Sequence, residues 1–477
     1  MGEEIKHSHF LPEDFKRFEV ALTRETAELE KIFLENRFVN EPPVSGFEVE
    51  AWLVDQDFQP APINEAFLDA FNNPLASPEL ASFNIEVNTE PRTIAGHVFS
   101  AMHQSLNDTW QQCRNTAEEL GAKVIMCGIL PTVKNENLNL ANMSQMKRYR
   151  ALNREVLHRR QGKPMTLDIN GQEHLRVTHR DVMLESAATS FQIHIQVNQE
   201  QAVRFYNASI LLSAPLVALT ANSPYLFDKD LWDETRIPLF EQAVAIGGYE
   251  GAAFGPITRV TFGSGYARNS MMECFKENLE HYPILLPVEL DTVANKLPHL
   301  RLHNGTIWRW NRPLIGFDDA GNIHLRIEQR VVPAGPSALD AIANAAFYYG
   351  SVMALANAEL IPEQKVDFTT AKYNFYRAAQ LGLRSQLTWI DGKQHTAIDL
   401  LREVLLPIAE QGLKMLDIAS SDIQEYLGVI RERIQCKTNG ATWQRAFVKK
   451  HGKDMYALTE SYYTQQNSGN PVHEWEV

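Results

Sequence analysis

The stretch that most constrains the fold is residues 46–55, which read GFEVEAWLVD. Apolar side chains alternate there with Glu48 and Glu50, so the stretch predicts a β-strand with one apolar face and one acidic face. The two carboxylates would lie roughly 6.5 to 7 Å apart. That spacing suits two neighbouring divalent cations with one carboxylate each, but a half-exposed strand with an acidic outer face gives the same pattern.

Three later stretches repeat this alternation and carry metal-binding types of side chain on the polar face. The polar faces of residues 82–88, 190–198 and 324–332 carry Glu86, His194, and Glu328 with Arg330, respectively. Taken singly, such a histidine is more typical of a hydrogen-bonded structural residue, and such a glutamate of a partner for an arginine. Four such strands in one antiparallel sheet would form an acidic trough, in which divalent cations relieve the mutual repulsion. The joint pattern therefore favours a metal-dependent site.

Charge and composition narrow the class of partner. Among 477 residues, 45 Lys and Arg stand against 59 Asp and Glu, and the net charge of -14 argues against a nucleic-acid partner. An anionic substrate such as ATP would then need metal ions and locally placed arginines. The four cysteines form no CxxC pair, which indicates reduced thiols rather than a zinc site. No stretch reaches about 20 apolar residues and the N-terminus lacks an apolar signal core, so we expect a cytoplasmic protein with no membrane partner.

Helical periodicity surrounds the predicted strands. It runs through residues 12–38, 98–120 and 143–160. From Ser337 onward the pattern is helical, and serine is a residue type suited to the N-cap position. The last ten or so residues are expected to fray, because chain ends are poorly ordered unless they are tied down.

A further strand pair is expected at residues 306–312 and 324–332, joined through a turn. The glycine-rich stretch 247–255 is not a P-loop, because no Gly-Lys-Ser/Thr follows it. No Rossmann fingerprint, GxSxG elbow or HExxH motif occurs in the sequence. These absences argue against the common dinucleotide-binding, hydrolase and zinc-protease classes.

Seven stretches follow one another in an order that is typical of a known family. They are GFEVEAWLVD (46–55), FNIEVNTEP (83–91), SFQIHIQV (190–197), PLVALTANSPYLFD (215–228), IWRWNRP (307–313), LRIEQRV (325–331) and NFYRAAQLGL (374–383). Together they resemble glutamate-cysteine ligase family 2, the carboxylate-amine ligases related to glutamine synthetase. The resemblance implies an α+β fold with a glutamine synthetase-like antiparallel sheet, helices packed on one face and a helical C-terminal portion.

The same resemblance suggests how the chain is organised. We expect an N-terminal helical segment at residues 1–40 and the catalytic sheet with its helices at 41–335. Residues 336–477 would form a helical portion packed on the same domain. A homodimer is a further expectation that comes from the family alone.

The resemblance also implies the contents of the site, namely two or more Mg²⁺ ions and ATP as co-substrate. The implied ligands of one ion are Glu48, His194 and Glu328. Those of another ion are Glu50 and Glu86, with Glu79 as a further candidate. The implied catalytic arginines are Arg330, which would contact phosphate, and Arg312 and Arg309, which would contact an acyl phosphate or a substrate carboxylate.

The implied function is an ATP- and Mg²⁺-dependent ligase that joins an amino-acid carboxylate to an amine through an acyl phosphate, as in glutamate-cysteine ligase. The product would be a γ-glutamyl amide. A phosphoryl transferase of the guanidino-kinase type, or a non-catalytic nucleotide- or ligand-binding relative, are alternative functions. Leu130 and Gln380 replace a histidine and an arginine of the family pattern, which puts glutamate and cysteine as the substrates in doubt.

Overall fold

The strand predicted at residues 46–55 lies inside an antiparallel sheet, and one face of this sheet is polar. A computed structural model describes residue 5 and residues 8–246, 258–290 and 296–477. Its strands are β1 Val44–Val54, β2 Ala76–Pro78, β3 Asn84–Asn88, β4 Arg92–Thr93, β5 Lys123–Ile125, β6 Met165–Asn170, β7 His174–His179, β8 Phe191–Val197, β9 Tyr225–Leu226, β10 Lys229–Asp230, β11 Val260–Thr261, β12 Trp308–Arg309, β13 Asn311–Phe317, β14 Ile323–Gln329, β15 Gln386–Thr388 and β16 Gln394–Thr396. The main sheet has the order β13-β14-β8-β1-β3-β2, and β4 and β5 also pair with β1.

The described α-helices lie before, between and after these strands along the chain. They are α1 Pro12–Leu34, α2 Asn64–Phe71, α3 Val98–Glu119, α4 Lys147–Arg159, α5 Ala202–Thr220, α6 Arg236–Ala243, α7 Met272–His281, α8 Pro298–Gly305, α9 Ala338–Ala356, α10 Phe368–Leu381, α11 Ala397–Asp399, α12 Leu406–Met415, α13 Ser420–Cys436, α14 Gly440–His451 and α15 Met455–Asn467. The predicted N-cap is confirmed, because the Ser337 hydroxyl accepts a hydrogen bond from the Asp340 amide at the start of α9.

One face of the sheet is apolar and is covered by helices. Alternate residues of β1, β8 and β14, including Phe47, Ile193 and Ile327, share one hydrophobic core with α3, α5 and α9. By length and composition, α5 is the one helix in the described part of the chain that could cross a membrane, but 89% of its apolar window is buried inside the fold. Burial of this face leaves the opposite face of the same strands for polar side chains. The predicted α+β, glutamine synthetase-like sheet with helices on one face is thereby confirmed.

Strand register decides which polar side chains meet. Glu50 of β1 lies opposite Glu86 of β3, and His194 of β8 lies opposite Glu328 of β14. Gly46 of β1 faces His194 from the other side, so that no side chain covers the imidazole at that position. Four strands that are far apart in sequence thus bring their polar groups to one face.

Of the strand pair expected at residues 306–312 and 324–332, the second strand is confirmed as β14. The first strand lies further along the chain than predicted. Residues 311–317 form β13 and pair with β14, whereas Trp308 and Arg309 form β12, which runs parallel to β11. The shift places Pro313 in β13 at the edge of the sheet, where a residue without an N–H group is tolerated. Continuous alternation through residues 306–312 concealed this change of partner.

The C-terminal end is packed, and the prediction that it frays is wrong. The Val472 amide donates a hydrogen bond to Asp340, and the Trp475 ring packs against Trp443 and Tyr462. Two buried apolar side chains in an otherwise polar stretch are enough to hold this segment down. The glycine-rich stretch 247–255 lies outside the described residues.

Candidate active site

The polar face of the sheet holds two groups of potential metal ligands. We call Glu48, His194 and Glu328 the histidine cluster. His194 Nε2 lies 3.3 Å from Glu48 Oε1 and 3.7 Å from Glu328 Oε1. One ligand atom from each residue lies within 4.8 Å of the others. Strand pairing alone produces this arrangement, because these residues sit on adjacent strands.

Arginines neutralise much of the negative charge of the histidine cluster. Arg312 donates to both oxygens of Glu328 at 2.8 Å, and Arg330 donates to Glu328 Oε2 at 3.1 Å. Burial opposes ionisation of Glu328, but the two guanidinium groups outweigh it and lower the pKa of that carboxyl. In the same way burial opposes ionisation of Glu48, but His194 outweighs it and the pKa of Glu48 is about 2. Both carboxylates are therefore ionised at neutral pH.

The histidine cluster fits a divalent cation. Both ring nitrogens of His194 are buried and have no hydrogen-bond partner among the described residues, which is unusual for an imidazole that is only 4% exposed. Its Nε2 faces two carboxylate oxygens at separations that neighbouring ligands of one small ion have. A cation between the three atoms would satisfy the nitrogen and the remaining negative charge together.

The second group, which we call the glutamate cluster, consists of Glu50, Glu79 and Glu86. Their ligand oxygens also lie within 4.8 Å of one another. Glu50 accepts hydrogen bonds from the Ser190 amide at 2.6 Å, the Ser190 hydroxyl at 2.9 Å and Gln192 Nε2 at 2.9 Å. These donors fix its orientation toward the polar face.

In the glutamate cluster the pKa values of Glu50 and Glu79 move upward. Burial raises the pKa of Glu50 to about 7, although Arg330 partly offsets the shift. Burial, followed by repulsion from Glu86 and Glu50, raises the pKa of Glu79 well above its ordinary value. Glu79 Oε1 is buried without a hydrogen-bond partner in the described part of the chain. Three close carboxylates with such an unsatisfied oxygen form a donor set suited to Mg²⁺.

Arg330 links the two clusters. Its guanidinium donates to Glu328 and to Gln192, and Gln192 in turn donates to Glu50. Burial lowers the pKa of Arg330, but attraction to Glu328, then Glu50 and Glu48, outweighs it and raises the pKa. One fixed positive charge therefore acts on carboxylates of both clusters.

Arg312 lies beside the histidine cluster, where it donates to both oxygens of Glu328, and its Nη1 also donates to the Gly305 carbonyl at 3.3 Å. Arg309 lies elsewhere. Its guanidinium donates to Asn278 at 2.7 Å and to Glu277 at 3.1 Å, and among the described residues it forms no hydrogen bond or ion pair with either cluster. Arg309 belongs to β12, which leaves the main sheet, and this departure separates it from the other predicted residues.

Arg326 is a functional candidate that the sequence interpretation did not single out. With Glu48 and His194 it lines a cavity of about 400 Å³. Its guanidinium donates no hydrogen bond to any described residue, and its Nε is buried. Arg326 precedes Glu328 by two residues on β14 and shares its face, so strand alternation offered the signal that could have found it.

Glu185 is the second functional candidate that the sequence interpretation did not single out. It lies in a short 3₁₀ helix at Met183–Ala187, where no alternation marks its direction. Burial, and then repulsion from Glu50, raises the pKa of Glu185 to about 8. Only the tertiary structure shows that this carboxylate interacts with the glutamate cluster.

The two departures from the family pattern have different surroundings. Leu130 is fully buried in a second hydrophobic core that also contains Trp52 and Phe83. Gln380 is partly exposed at the end of α10 and accepts a hydrogen bond from Arg377 at 2.7 Å. Replacement of a polar family residue by Leu130 is thus compensated by packing.

Comparison with solved structures agrees with this architecture. The fold is similar to glutamate–cysteine ligase from Francisella tularensis in complex with AMP, with a TM-score of 0.54, 10% identity, and coverage of 91% of this chain and 90% of that chain. It is also similar to a bifunctional glutathione synthetase from Pasteurella multocida, with a TM-score of 0.50, 11% identity, and coverage of 92% of this chain and 54% of that chain. No curated protein matches the sequence.

A family model describes nearly the whole of the sheet and most of the helical portion. It is the model of glutamate-cysteine ligase family 2, and it matches residues 44–465. All six residues of the histidine cluster and the glutamate cluster lie inside the matched range. The chain therefore belongs to glutamate-cysteine ligase family 2, a family of ATP-dependent carboxylate-amine ligases.

Proposed function

We propose that this protein joins the γ-carboxyl group of glutamate to an amine, with ATP and Mg²⁺, through an acyl phosphate. The observation that carries the proposal is the pair of clusters on one sheet face with Arg330 between them. A ligase of this class must hold a triphosphate and a carboxylate side by side despite their mutual repulsion. Two anionic clusters that bind cations, with a fixed arginine between them, meet that requirement.

The proposal assigns one ion to Glu48, His194 and Glu328, and a second ion to Glu50 and Glu86, with Glu79 as a further ligand. When bound, these ions neutralise anionic oxygens and stabilise charge on the transferred phosphoryl group. The bidentate pair that Arg312 forms with Glu328 holds this ligand in one orientation. We assign Arg312 this positioning role in addition to its proposed substrate contact.

Two arginines are proposed to bind phosphate. Arg330 is already ordered by Gln192 and Glu328, and its Nε is buried without a hydrogen-bond partner among the described residues. Arg326 presents its guanidinium to the 400 Å³ cavity beside the histidine cluster. Planar, permanently charged donors of this kind bind phosphoryl oxygens well. The cavity is therefore the proposed nucleotide side of the site, and the glutamate cluster is the proposed substrate side.

The contacts of Arg309 support a structural role better than its proposed substrate contact. It is almost fully buried and is paired with Glu277 and Asn278. Arg309 could contact a substrate only if its hydrogen bonds to Glu277 and Asn278 were broken and replaced by bonds to the substrate. A loss of turnover with unchanged stability in Arg309→Lys would favour substrate contact, whereas a loss of stability would favour the structural role.

The test follows products with ATP, Mg²⁺, glutamate and a panel of amines. Amine-dependent release of ADP and phosphate, with a γ-glutamyl amide identified by mass spectrometry, is the expected result. ADP release with a stable phosphorylated acceptor would show a phosphoryl transferase instead. Binding of nucleotide and metal without turnover for any amine would show a non-catalytic relative. Either outcome would overturn the proposal.

A further inference from the structure

A cavity separate from the polar face of the sheet lies between the start of α1 and the last turns of α4. Its volume is about 590 Å³, and its lining includes Phe10 and Phe15 on one side and Glu155 and Arg159 on the other. None of its lining residues belongs to the histidine cluster or the glutamate cluster, and none lines the cavity beside Arg326. A ligand held there would therefore occupy a site that the proposed reaction does not use.

Two aromatic rings form an apolar wall of this cavity. The rings of Phe10 and Phe15 meet edge to face, with centroids 6.4 Å apart and planes at 83°. Phe10 also packs against a small hydrophobic core that includes Ile5 and Ala151, and the Arg159 guanidinium lies 5.9 Å from the Phe15 centroid. The wall is thus held in place from two sides, and an apolar side chain of a ligand would be buried against it.

A buried carboxylate without a partner lies in the same cavity. Glu155 is 5% exposed, and its carboxylate forms no hydrogen bond or ion pair with any described residue. Burial raises the pKa of Glu155, although the charges of His158, Arg159 and Arg154 partly offset the shift. Because a buried carboxylate without donors is costly, an ammonium group that supplies N–H donors and positive charge would be favoured beside it.

Cationic side chains surround this carboxylate at the exposed rim of the cavity. Arg154 and His158 lie four residues apart on α4, on one row of the helix surface, and Lys16 lies opposite on α1. All three are exposed, and none forms a hydrogen bond or ion pair with a described residue. Arg159, by contrast, donates to the Ile284 carbonyl. A carboxylate on a ligand would therefore find uncommitted positive charge at the rim.

We propose that this cavity binds a free α-amino acid with an apolar or aromatic side chain. Glu155 would pair with its ammonium group, and Arg154 with its carboxylate. Arg154 and Glu155 are neighbours in sequence, so α4 places opposite charges side by side, as a zwitterion requires. The rings of Phe10 and Phe15 would cover the side chain, and the volume lies within the roughly 300 to 1,000 Å³ of small-molecule sites.

The first experiment removes one recognised group of the ligand at a time. The full-length protein is titrated calorimetrically with L-phenylalanine, hydrocinnamate, phenethylamine and glycine, which respectively keep all three groups or lack the ammonium, the carboxylate and the apolar side chain. We expect L-phenylalanine to bind at least about tenfold more tightly than each of the other three. Equal affinity for hydrocinnamate would indicate a simple anion site and overturn the proposal, as would the absence of binding by L-phenylalanine.

The second experiment pairs each charge of the ligand with its side chain. Glu155→Gln should weaken L-phenylalanine binding about tenfold and leave hydrocinnamate binding unchanged. Arg154→Met should weaken the binding of both and leave phenethylamine unchanged, and it is not expected to affect folding because Arg154 is exposed. The matched control is Arg24→Met, an exposed arginine of α1 outside the cavity, which should change none of these affinities. Wild-type affinities in both cavity variants would overturn the proposal.

A further variant separates this cavity from the proposed substrate side of the active site. Glu50→Gln should bind L-phenylalanine as tightly as the wild type does, because Glu50 does not line the cavity. Loss of binding in Glu50→Gln, with wild-type affinity in Glu155→Gln and Arg154→Met, would place the amino acid at the glutamate cluster and overturn the proposal. The titrations need neither ATP nor turnover, so their outcome does not depend on the proposed ligase reaction.

Discussion

The histidine cluster and the glutamate cluster lie on the same sheet face but balance their charge differently. In the histidine cluster, Arg312 and Arg330 contact Glu328, and the pKa values of its carboxyls are lowered. In the glutamate cluster, neutral donors from Ser190 and Gln192 orient Glu50, and burial raises the pKa values of Glu50 and Glu79. The same residue type is therefore a stabilising ion-pair partner in one cluster and a source of repulsion in the other.

The two clusters therefore require different contributions from a bound cation. The histidine cluster is ionised and ordered by its arginines, so a cation completes a set of charges that is already arranged. In the glutamate cluster neutral donors orient Glu50 and burial raises the pKa values of Glu50 and Glu79, so a cation there would supply neutralising charge. Substitutions in the two clusters should consequently have opposite effects on the stability of the metal-free protein.

The largest effect is expected for Glu328→Gln. Loss of this carboxylate leaves Arg312 and Arg330 buried without their anion, which should lower the free energy of unfolding by about 3 to 5 kcal/mol. Urea unfolding of the metal-free protein measures this change. Glu79→Gln is the matched control, and it should be neutral or stabilising because it removes a repelled buried carboxyl. Equal destabilisation by both changes would show that the two clusters do not differ in how their charge is balanced.

The next effect concerns turnover rather than stability. Glu50→Gln removes one ligand charge and almost no volume. Its amide oxygen keeps the hydrogen bonds from the Ser190 hydroxyl and Gln192, which both go to Oε1, whereas the bond from the Ser190 amide to Oε2 is lost. We expect Mg²⁺-dependent phosphate release to fall by at least about a thousandfold, which corresponds to about 4 kcal/mol, while the protein still unfolds in one cooperative transition. Full activity in this variant would show that Glu50 is not a metal ligand.

A smaller effect is expected for the metal ion on stability. Mg²⁺ at about 100 times the dissociation constant of one site should raise the free energy of unfolding by about 2.7 kcal/mol for that site, because it binds the folded cluster and not the unfolded chain. Thermal unfolding with and without EDTA measures the gain, and Glu86→Gln should reduce it. An identical melting temperature in wild type at all Mg²⁺ concentrations would exclude preorganised cation sites.

How far the sequence predicted this site depends on where each residue lies. Glu48, Glu50, Glu86, His194 and Glu328 belong to strands, and alternation fixes the face of a strand residue regardless of tertiary context. Their grouping into two clusters was implied by the family resemblance and agrees with the strand register.

Local sequence patterns carried less information where tertiary contacts decide the arrangement. Arg309 follows an alternating pattern, but its strand changes partner at Trp310, and no local signal marks that change. Glu185 lies in a 3₁₀ turn, whose direction is set by packing rather than by periodicity. The C-terminal end was expected to fray because it is a chain end, although two apolar side chains, Val472 and Trp475, are buried there. Tertiary contacts decided these three arrangements, whereas Arg326 lies on the polar face that strand alternation already indicates.

The smallest effect is expected for Glu241, which lies away from both clusters. Its substitution tests whether burial alone raises the pKa of a carboxyl group in this protein. Burial raises the pKa of Glu241 to about 7, and hydrogen bonds from Trp310 and Tyr376 only partly offset it. A carboxyl whose pKa is raised on folding stabilises the fold below its unfolded pKa and loses that contribution as pH rises through the folded value. Stability should therefore fall by about 2 kcal/mol between pH 5 and pH 7 through this group. In Glu241→Gln that fall should disappear from urea unfolding curves, since the amide oxygen still accepts both hydrogen bonds, whereas the exposed-site variant Glu280→Gln should retain it. The same slope in wild type and Glu241→Gln would mean that other groups set the pH dependence.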